Sequence, residues 1–226
     1  MHQTNAVSEV ARLQKKYIDL ELIKPIKSGK EASVWLVSTN KIEKGKELFA
    51  LKVYKENIIK SSNSQYIKGK HFKERSVRKA VSKKTKYGRQ IIHKLWTSRE
   101  FYMLEKFYEL GASLPKVYDF TDNAILMEYL GDFNLPAPKL VSVKLTSEIA
   151  SIFYKEILSS IQIFLDNGIF HGDLSEHNIL VWNSKPYIID FPQSIDIRKN
   201  DNWEWMYQRD LDNVNKFFKK YIKENP

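Results

Sequence analysis

The 226-residue sequence contains no cysteine, which excludes disulfide bridges, thiol catalysis and cysteine-ligated zinc or iron–sulfur sites. Its five histidines lack the spacing of a metal-binding motif, so we expect no structural metal site. Glycine and proline are sparse, at 8 and 7 residues, and this scarcity excludes collagen-like and linker-like chains. A hydrophobic content of 42% suffices for a core, so the sequence predicts a folded globular protein.

Long hydrophobic runs are also missing. The longest mostly apolar stretch, residues 149–170, is interrupted by Lys155, Glu156 and Asp166, which is typical of a core helix and not of a membrane-spanning one. The first thirteen residues lack the basic and then apolar layout of a secretory signal. We therefore expect a cytoplasmic protein without membrane contact.

Positive charge is concentrated in one segment, Lys68–Lys94, which contains eight lysines and three arginines against the single acid Glu74. This segment carries +10, the net charge of the whole chain, so the remainder is formally neutral. Tyr66, Phe72 and Tyr87 are interleaved with the basic residues. The pattern favours RNA or another polyanion as a partner, and the alternative is a solvated insertion whose charges keep it soluble.

The first half of the chain, residues 1–130, is expected to form an N-terminal extension and an antiparallel β lobe with one helix. A flexible basic insertion is expected at about residues 57–94. The predicted helix is 96–110, and the predicted strands are 22–27, 32–38, 48–54, 115–120 and 124–129. In the third strand Phe49, Leu51 and Val53 share one face, which leaves Ala50 and Lys52 on the other.

The second half, residues 131–226, is expected to form a mostly helical lobe after a break at 131–138. Thr146 is the expected N-cap of a long helix that ends at Asn167 and Gly168. An apolar stripe predicts the buried face of this helix: Ile149, Ile152, Phe153, Ile157, Ile161, Phe164 and Leu165. Strands at 178–182 and 186–190 and a helix from 203 to about 222 follow. Apolar anchors are expected on that last helix at Trp205, Leu211, Val214, Phe217 and Phe218.

Three polar residues of the second half have the spacing that phosphoryl transfer requires. Asp173 lies in a loop after the long helix, Asn178 begins the next strand five residues later, and Asp190 ends the strand expected to pair with it. One carboxylate, Asp173, can orient or deprotonate an attacking hydroxyl, while Asn178 and Asp190 can hold Mg²⁺ or Mn²⁺. Turn formation would explain one of these residues alone, but not three at this spacing.

The first half provides the expected counterpart for a nucleotide such as ATP. Ala50 and Lys52 share a strand face, where adenine could pack on the small side chain while the ammonium reaches the phosphates. Glu100 on the predicted helix could pair with Lys52 and fix its direction, and the alternative is a surface glutamate.

Two further segments complete the expected nucleotide site. The first is a turn with a single glycine that could cover the phosphates and does not have the pattern of a Walker A loop: Ser28, Lys30 and Glu31. The second is a strand end whose backbone amide and carbonyl groups could pair with the adenine edge: Met127, Glu128 and Tyr129.

These motifs resemble the RIO family of atypical kinases over residues 22–222. Four stretches carry the resemblance: Ser28-Gly-Lys-Glu-Ala-Ser-Val, His171-Gly-Asp-Leu-Ser-Glu-His-Asn-Ile-Leu, Ile188-Ile-Asp-Phe-Pro-Gln-Ser and Arg209-Asp-Leu-Asp-Asn-Val-Asn-Lys-Phe-Phe. The resemblance implies a two-lobed, protein-kinase-like α+β fold, with a small antiparallel N-terminal lobe containing helix C and a reduced, mostly helical C-terminal lobe. It also implies that Lys52 contacts the phosphates and pairs with Glu100, that Asp173 is the catalytic aspartate, and that Asn178 and Asp190 bind the metal.

The resemblance further implies an ATP-dependent serine kinase or ATPase that acts on a protein or on itself, with Asp190 as the acceptor in a phosphoaspartate intermediate. It implies a role in ribosome maturation, in which the basic segment Lys68–Lys94 touches rRNA. Pro192 stands where ordinary protein kinases have the glycine of Asp-Phe-Gly, and no Ala-Pro-Glu motif follows, so a peptide-docking platform is not expected. Subfamily features are mixed, because Tyr66-Ile-Lys-Gly-Lys resembles the first subfamily and Asp-Phe-Pro-Gln the second, although no winged-helix domain precedes the core.

Two other functions stay open from the residues. One is a polyanion- or RNA-binding module that uses ATP as a regulator with little kinase activity. The other is a small-molecule phosphotransferase, because aminoglycoside and choline phosphotransferases have a similar catalytic loop. Only 36 residues follow Asp190, too few for the helical substrate lobe of those enzymes, so this alternative ranks last.

Overall fold

A computed structural model of the chain describes residues 2–55, 75–83, 85–191, 194–199 and 203–222. The described helices are α1 (His2–Leu13), α2 (Arg75–Ser82), α3 (Lys86–Glu109), α4 (Ser147–Asp166) and α5 (Trp203–Phe218). The described strands are β1 (Glu21–Ser28), β2 (Ala32–Glu43), β3 (Lys46–Tyr54), β4 (Val117–Phe120), β5 (Ala124–Glu128), β6 (Ile169–Phe170), β7 (Ile179–Trp182), β8 (Lys185–Ile188) and β9 (Ile195–Asp196). No helix of the described residues combines the length and apolarity needed to cross a bilayer.

The chain divides into two compact units. The first comprises Met1–Met103 with Val117–Tyr129, and the second comprises Leu104–Lys116 with Leu130–Pro226. The lobe boundary drawn from the sequence after residue 130 stays a prediction.

The first unit contains a five-stranded sheet in the order β1-β2-β3-β5-β4, and each neighbouring pair is antiparallel. Strand β3 has the predicted alternation. Phe49, Leu51 and Val53 are buried in the main core, while Ala50 joins a separate apolar cluster. The antiparallel sheet expected from the sequence is therefore confirmed, because period-two alternation directly encodes the two faces of a strand.

Helix α1 was not predicted, yet it contributes to the core of the first unit. Ala6, Val10 and Leu13 are buried in the same cluster as Leu51 of β3. These residues follow the i, i+4, i+7 spacing of one helix face, so a signal was present in the sequence. Its neighbours are mostly polar, which hid the helix from a search for long apolar runs.

The basic insertion expected at about 57–94 contains helices in its described part, and its flexibility stays a prediction. Its second part forms α2 and the start of α3, and α3 begins ten residues before the predicted helix. Lysine and arginine are good helix formers, so a run of positive charge does not prevent helix formation. Gly88 allows the two helices to meet, since a Cβ at this position would overlap the backbone of Ala80. Residues 56–74, including Tyr66 and Phe72, lie outside the described residues.

Helix α4 of the second unit begins and ends as predicted. The Thr146 hydroxyl accepts a hydrogen bond from the Ile149 amide at 3.3 Å, and Gly168 adopts a left-handed φ of 72° just after the end. The predicted stripe was wrong at Ile149 and Ile152, which are 41% and 54% exposed. The buried face is rotated away from them and consists of Ala150, Phe153, Ile157, Ser160, Ile161 and Phe164.

The remaining elements of the second unit are two short strand pairs, β7–β8 and β6–β9, and α5. The β7–β8 hairpin turns at Asn183 and Ser184, both with positive φ, as a two-residue hairpin requires. On α5, Val214, Phe217 and Phe218 are buried as expected. Trp205, predicted as an anchor, is 68% exposed.

Candidate active site

The nucleotide-binding residues expected in the first unit are organised around one buried ion pair. The Lys52 ammonium lies 3.0 Å from Glu100 Oε1, and the two side chains are 11% and 4% exposed. Glu100 is therefore not a surface glutamate. Its second oxygen, Oε2, is buried and has no hydrogen-bond partner among the described residues.

An aromatic side chain lies beside this pair. The Tyr54 ring lies 5.3 Å from the Lys52 ammonium and 5.3 Å, between ring centroids, from Trp96 of α3. Because Trp96 lies one helical turn before Glu100, the same helix face packs on β3 and presents the carboxylate. Because both side chains are buried, the loss of either charge leaves the other in an unfavourable environment.

Ala50 lies in an apolar patch on the sheet face opposite the main core. Leu36 and Tyr129 are buried with it, and four partly buried side chains pack against them: Ile26, Val34, Leu48 and Met127. A flat adenine ring could bind such a surface. The sequence analysis missed Ile26, Val34 and Leu36 as members, although their period-two spacing on β1 and β2 was visible.

At the end of β5, the Glu128 side chain binds a residue that does not belong to the apolar patch around Ala50. The Glu128 carboxylate accepts a hydrogen bond from the Lys46 ammonium at 2.6 Å. This ion pair holds β5 against β3 and leaves any adenine contact at this strand end to the backbone. That contact stays a prediction.

The expected phosphate-covering turn connects β1 and β2. Ser28 and Lys30 are exposed, Glu31 is partly buried, and the Gly29 amide donates to the Ala32 carbonyl at 2.9 Å. A Cβ at Gly29 would meet nothing closer than 3.6 Å, so the turn does not depend on glycine for space.

The structure brings Asp173 and Asn178 together in the second unit. The Asn178 side-chain amide donates to the Asp173 carbonyl at 2.8 Å and to its carboxylate at 3.3 Å. The Asn178 carbonyl accepts from the Ile189 amide at 2.9 Å, which connects this loop to the residue before Asp190. Asp173 is exposed, which is compatible with its expected catalytic role.

Asp190 lies two residues beyond the end of β8, which corrects the expectation that it ends this strand. Its φ is 74°, in the left-handed region that few non-glycine residues adopt. Asp190 is exposed, while the next residue, Phe191, is buried against His171 and Phe164 with ring centroids 4.6 and 5.3 Å apart. Strained backbone of this kind is common at functional sites.

His171 connects the two loops from the interior. Its Nδ1 accepts from the Asp173 amide at 3.3 Å, so its Nε2 carries the proton and donates to the Ile189 carbonyl at 3.0 Å. The sequence analysis gave this buried histidine no role, because its partners lie up to 18 residues away.

Three side chains of α5 bind the backbone of the Asp173 loop. Asp210 accepts from the Gly172 amide at 2.7 Å, Arg209 donates to the Gly172 carbonyl, and Asn213 donates to the Leu174 carbonyl at 3.1 Å. Asp210 is buried, and this burial raises its pKa, while the amides of the loop and the Arg209 guanidinium act in the opposite direction. These three residues lie in a stretch that carries the family resemblance, but no positioning role was predicted for them.

Asp190 and Asn178 carry oxygen donors that suit a divalent cation, and their role as metal ligands stays a prediction. Carboxylate and amide oxygens at Asp190 and Asn178 are hard ligands of the type that Mg²⁺ and Mn²⁺ prefer. Among the described residues no three His, Asp or Glu side chains form a metal-binding group. Mg²⁺ usually takes several of its ligands from phosphate oxygens and water.

A family model described as the RIO domain matches residues 33–226 of this chain. The chain belongs to the RIO family. The resemblance of its motifs is thereby confirmed, and the mixed α and β structure with a five-stranded antiparallel sheet is consistent with the kinase-like fold of that family.

Several curated proteins are similar to this RIO chain. The bovine serine/threonine-protein kinase RIO3 is 30% identical over 205 residues, which cover 86% of this chain and 38% of the relative. The RIO-type serine/threonine-protein kinase Rio1 of Methanocaldococcus jannaschii is 34% identical over 203 residues, or 88% of this chain and 63% of the relative. Its counterpart from Thermoplasma acidophilum is 30% identical over 184 residues, or 80% of this chain and 91% of the relative. The chain thus spans less than two fifths of the bovine relative.

We predict that breaking the Lys52–Glu100 pair strongly destabilises the RIO chain. Glu100→Leu leaves a buried ammonium without its partner, and Lys52→Met leaves a buried carboxylate, so each should lower the free energy of unfolding by about 3–5 kcal/mol. The double variant removes both charges and should recover most of that loss. Urea denaturation of the four proteins measures the coupling. Additive losses in the double variant would show that the two charges do not stabilise each other.

We predict a pH effect from Asp210. Because burial raises its pKa, the folded chain keeps a proton that the unfolded chain has released, and this group makes stability fall as pH rises from about 4 through the folded-state pKa. Asp210→Asn should remove this part of the pH profile. Asp210→Ala should also lose about 1–3 kcal/mol, because the Gly172 amide loses its acceptor.

The free energy of unfolding between pH 4 and 8 tests the Asp210 prediction. Asp212→Asn is the matched control, since Asp212 is exposed on the same helix. Identical pH profiles for the wild-type chain and Asp210→Asn would contradict it.

Proposed function

We propose that this RIO chain is an ATP-dependent protein serine/threonine kinase, an ATPase, or both. The observation that carries the proposal is the buried pairing of Lys52 with Glu100. A buried ion pair contributes little to stability compared with apolar residues of similar volume, so its presence points to a task for the ammonium. Orienting the phosphates of ATP is the task that such a pair performs in kinases.

In the proposed mechanism, residues of the first unit bind and orient ATP. The apolar patch around Ala50 binds the adenine ring, and Lys52, directed by Glu100, donates to phosphate oxygens. The turn at Ser28 and Lys30 covers the phosphates.

Residues of the second unit prepare the transfer. Asp173 accepts a hydrogen bond from the attacking serine or threonine hydroxyl and takes its proton as the new bond to the γ-phosphorus forms. The bond from the γ-phosphorus to the bridging oxygen breaks in the same step, and ADP leaves. Asn178 and Asp190 would hold Mg²⁺ or Mn²⁺, which when bound neutralises charge on the phosphates. His171 and Asp210 hold the backbone of these loops in place.

ATP hydrolysis would proceed in two displacements at Asp190. A carboxylate oxygen of Asp190 attacks the γ-phosphorus, the bond to the bridging oxygen breaks, and ADP leaves. Water then attacks the acyl phosphate, which releases inorganic phosphate and restores the carboxylate. The resemblance to the family suggests this route, and the exposure of Asp190 supports it.

Incubation with γ-labelled ATP and magnesium or manganese tests the proposed activity. The label is divided among free phosphate, stable phosphoprotein and hydroxylamine-labile phosphoprotein, for the wild-type chain, Asp173→Asn and Asp190→Ala. We expect Asp173→Asn to lose transfer by at least a hundredfold while it still binds nucleotide, because proton transfer contributes about 10²–10⁴ in rate. Asp190→Ala should lose the labile label and bind ATP less tightly when the metal is present.

The outcomes of this labelling separate the two activities. Stable label on serine or threonine favours the kinase, and labile label with free phosphate favours the ATPase. Turnover that is unchanged in both variants would overturn the assigned roles.

A second function, binding of RNA or another polyanion, is favoured by the basic segment Lys68–Lys94. In its described part, Lys79, Lys83 and Lys86 are exposed on α2, on the turn after it and on the start of α3. Several phosphate contacts of this kind give an affinity that falls steeply with salt. We propose rRNA of a ribosome precursor as the partner, in keeping with a cytoplasmic role in ribosome maturation that the resemblance implies.

Replacement of Lys79, Lys83 and Lys86 with alanine tests polyanion binding. We expect weaker binding to a structured rRNA fragment and a salt slope reduced by about 2–3, because about one counterion is released per lost contact. The control replaces three exposed lysines of the second unit, Lys155, Lys185 and Lys219, for the same change in net charge. Equal effects of the two triple variants would show that only net charge matters.

A further inference from the structure

Lys55, the residue after β3, contacts the expected phosphate-covering turn. Its ammonium donates to the Ser28 hydroxyl at 3.1 Å and to the Gly29 carbonyl at 2.5 Å. Its backbone amide donates to the Glu31 carbonyl at 2.8 Å. One residue therefore makes three hydrogen bonds to a turn of four residues.

These bonds fix the turn relative to Lys52. The turn has one internal backbone bond, between Gly29 and Ala32, and Gly29 has no positive φ that would impose a shape. Lys55 lies three residues after Lys52 at the same end of β3, where Ala32 pairs with Tyr54. Together with the pairing of Ser28 and Ser33 in β1 and β2, Lys55 therefore holds the turn at this end of the strand.

The charge of Lys55 adds a second argument. An ammonium has three N–H donors, and the described residues supply two acceptors, both in the turn. The remaining donor is held at a turn that also carries Lys30 and no acid other than Glu31. An ammonium fixed in this way suits an anionic phosphate oxygen, to which hydrogen bonds are stronger than to neutral acceptors.

We propose that Lys55 is a phosphate-binding residue of the nucleotide site, which holds the turn in place and donates to a β- or γ-phosphate oxygen of ATP. This inference rests on the proposed function, because it takes ATP as the ligand. Lys52 is the lysine that Glu100 directs. Lys55 would provide a second positive charge, which is held by the turn at Ser28 and Gly29.

The affinity of the chain for adenosine ligands that carry different numbers of phosphates tests the proposed role of Lys55. The affinities of adenosine, AMP, ADP and ATP are determined by calorimetry for the wild-type chain, Lys55→Met and Lys55→Arg. We expect Lys55→Met to bind ATP and ADP about tenfold more weakly, as loss of one charged hydrogen bond implies, while adenosine affinity is unchanged. Lys55→Arg should recover most of the loss, because it keeps a cationic donor.

Lys44→Met is the matched control. Lys44 is an exposed lysine at the other end of the β2–β3 hairpin, so its replacement changes the net charge equally and should leave all four affinities unchanged. Thermal unfolding of each variant shows whether it is folded. If Lys55→Met does not fold, Lys55→Gln provides a second variant without the positive charge.

The results separate this inference from the function on which it rests. Equal loss for adenosine and ATP would show that Lys55 only stabilises the turn, and no loss would show that it does not contact the phosphates; either result overturns the inference alone. A wild-type chain that binds no nucleotide would overturn the proposed function as well.

Discussion

The buried ion pair between Lys52 and Glu100 constrains how β3 and α3 of the first unit pack together. Neither charge is stable in an apolar interior without the other, so β3 and α3 must keep one register with respect to each other. Alternation along β3 puts Ala50 and Tyr54 on the same sheet face as the ammonium, and the register with α3 puts Trp96 against Tyr54. Packing on this face of the sheet is thus coupled to the direction of one lysine side chain.

In the second unit, hydrogen bonds from side chains to the backbone hold the loop around Asp173 in position. The loop around Asp173 has no strand partner for Gly172 and Leu174 in the described chain, and buried backbone groups must be paired. Helix α5 supplies the partners from Asp210 and Asn213, almost forty residues later. The geometry of the proposed catalytic loop therefore depends on the docking of a helix that has no catalytic residue of its own.

The sequence predicted features that local patterns encode, and it failed where distant contacts decide. The two faces of β3 and the Thr146 cap were predicted correctly, because alternation and capping are properties of a few neighbouring residues. The start of α3 was predicted ten residues too late, because the charged segment before Trp96 was assigned to the basic insertion, although lysine and arginine are good helix formers. His171 and Asp210 could not be assigned roles, because nothing within a few residues of either one indicates its partners.

The strained backbone of Asp190 is stabilised by packing of the neighbouring residue. A left-handed φ costs a non-glycine residue about 1–2 kcal/mol, and the exposed carboxylate gains no burial in return. The next residue compensates, since burial of the Phe191 ring against His171 and Phe164 contributes about 2–3 kcal/mol. Because the same backbone turn that strains Asp190 also directs Phe191 into the core, the exposed carboxylate and the buried ring depend on one conformation. Core packing in the second unit thereby sets the direction of the carboxylate to which we assign the metal and the phosphoryl group.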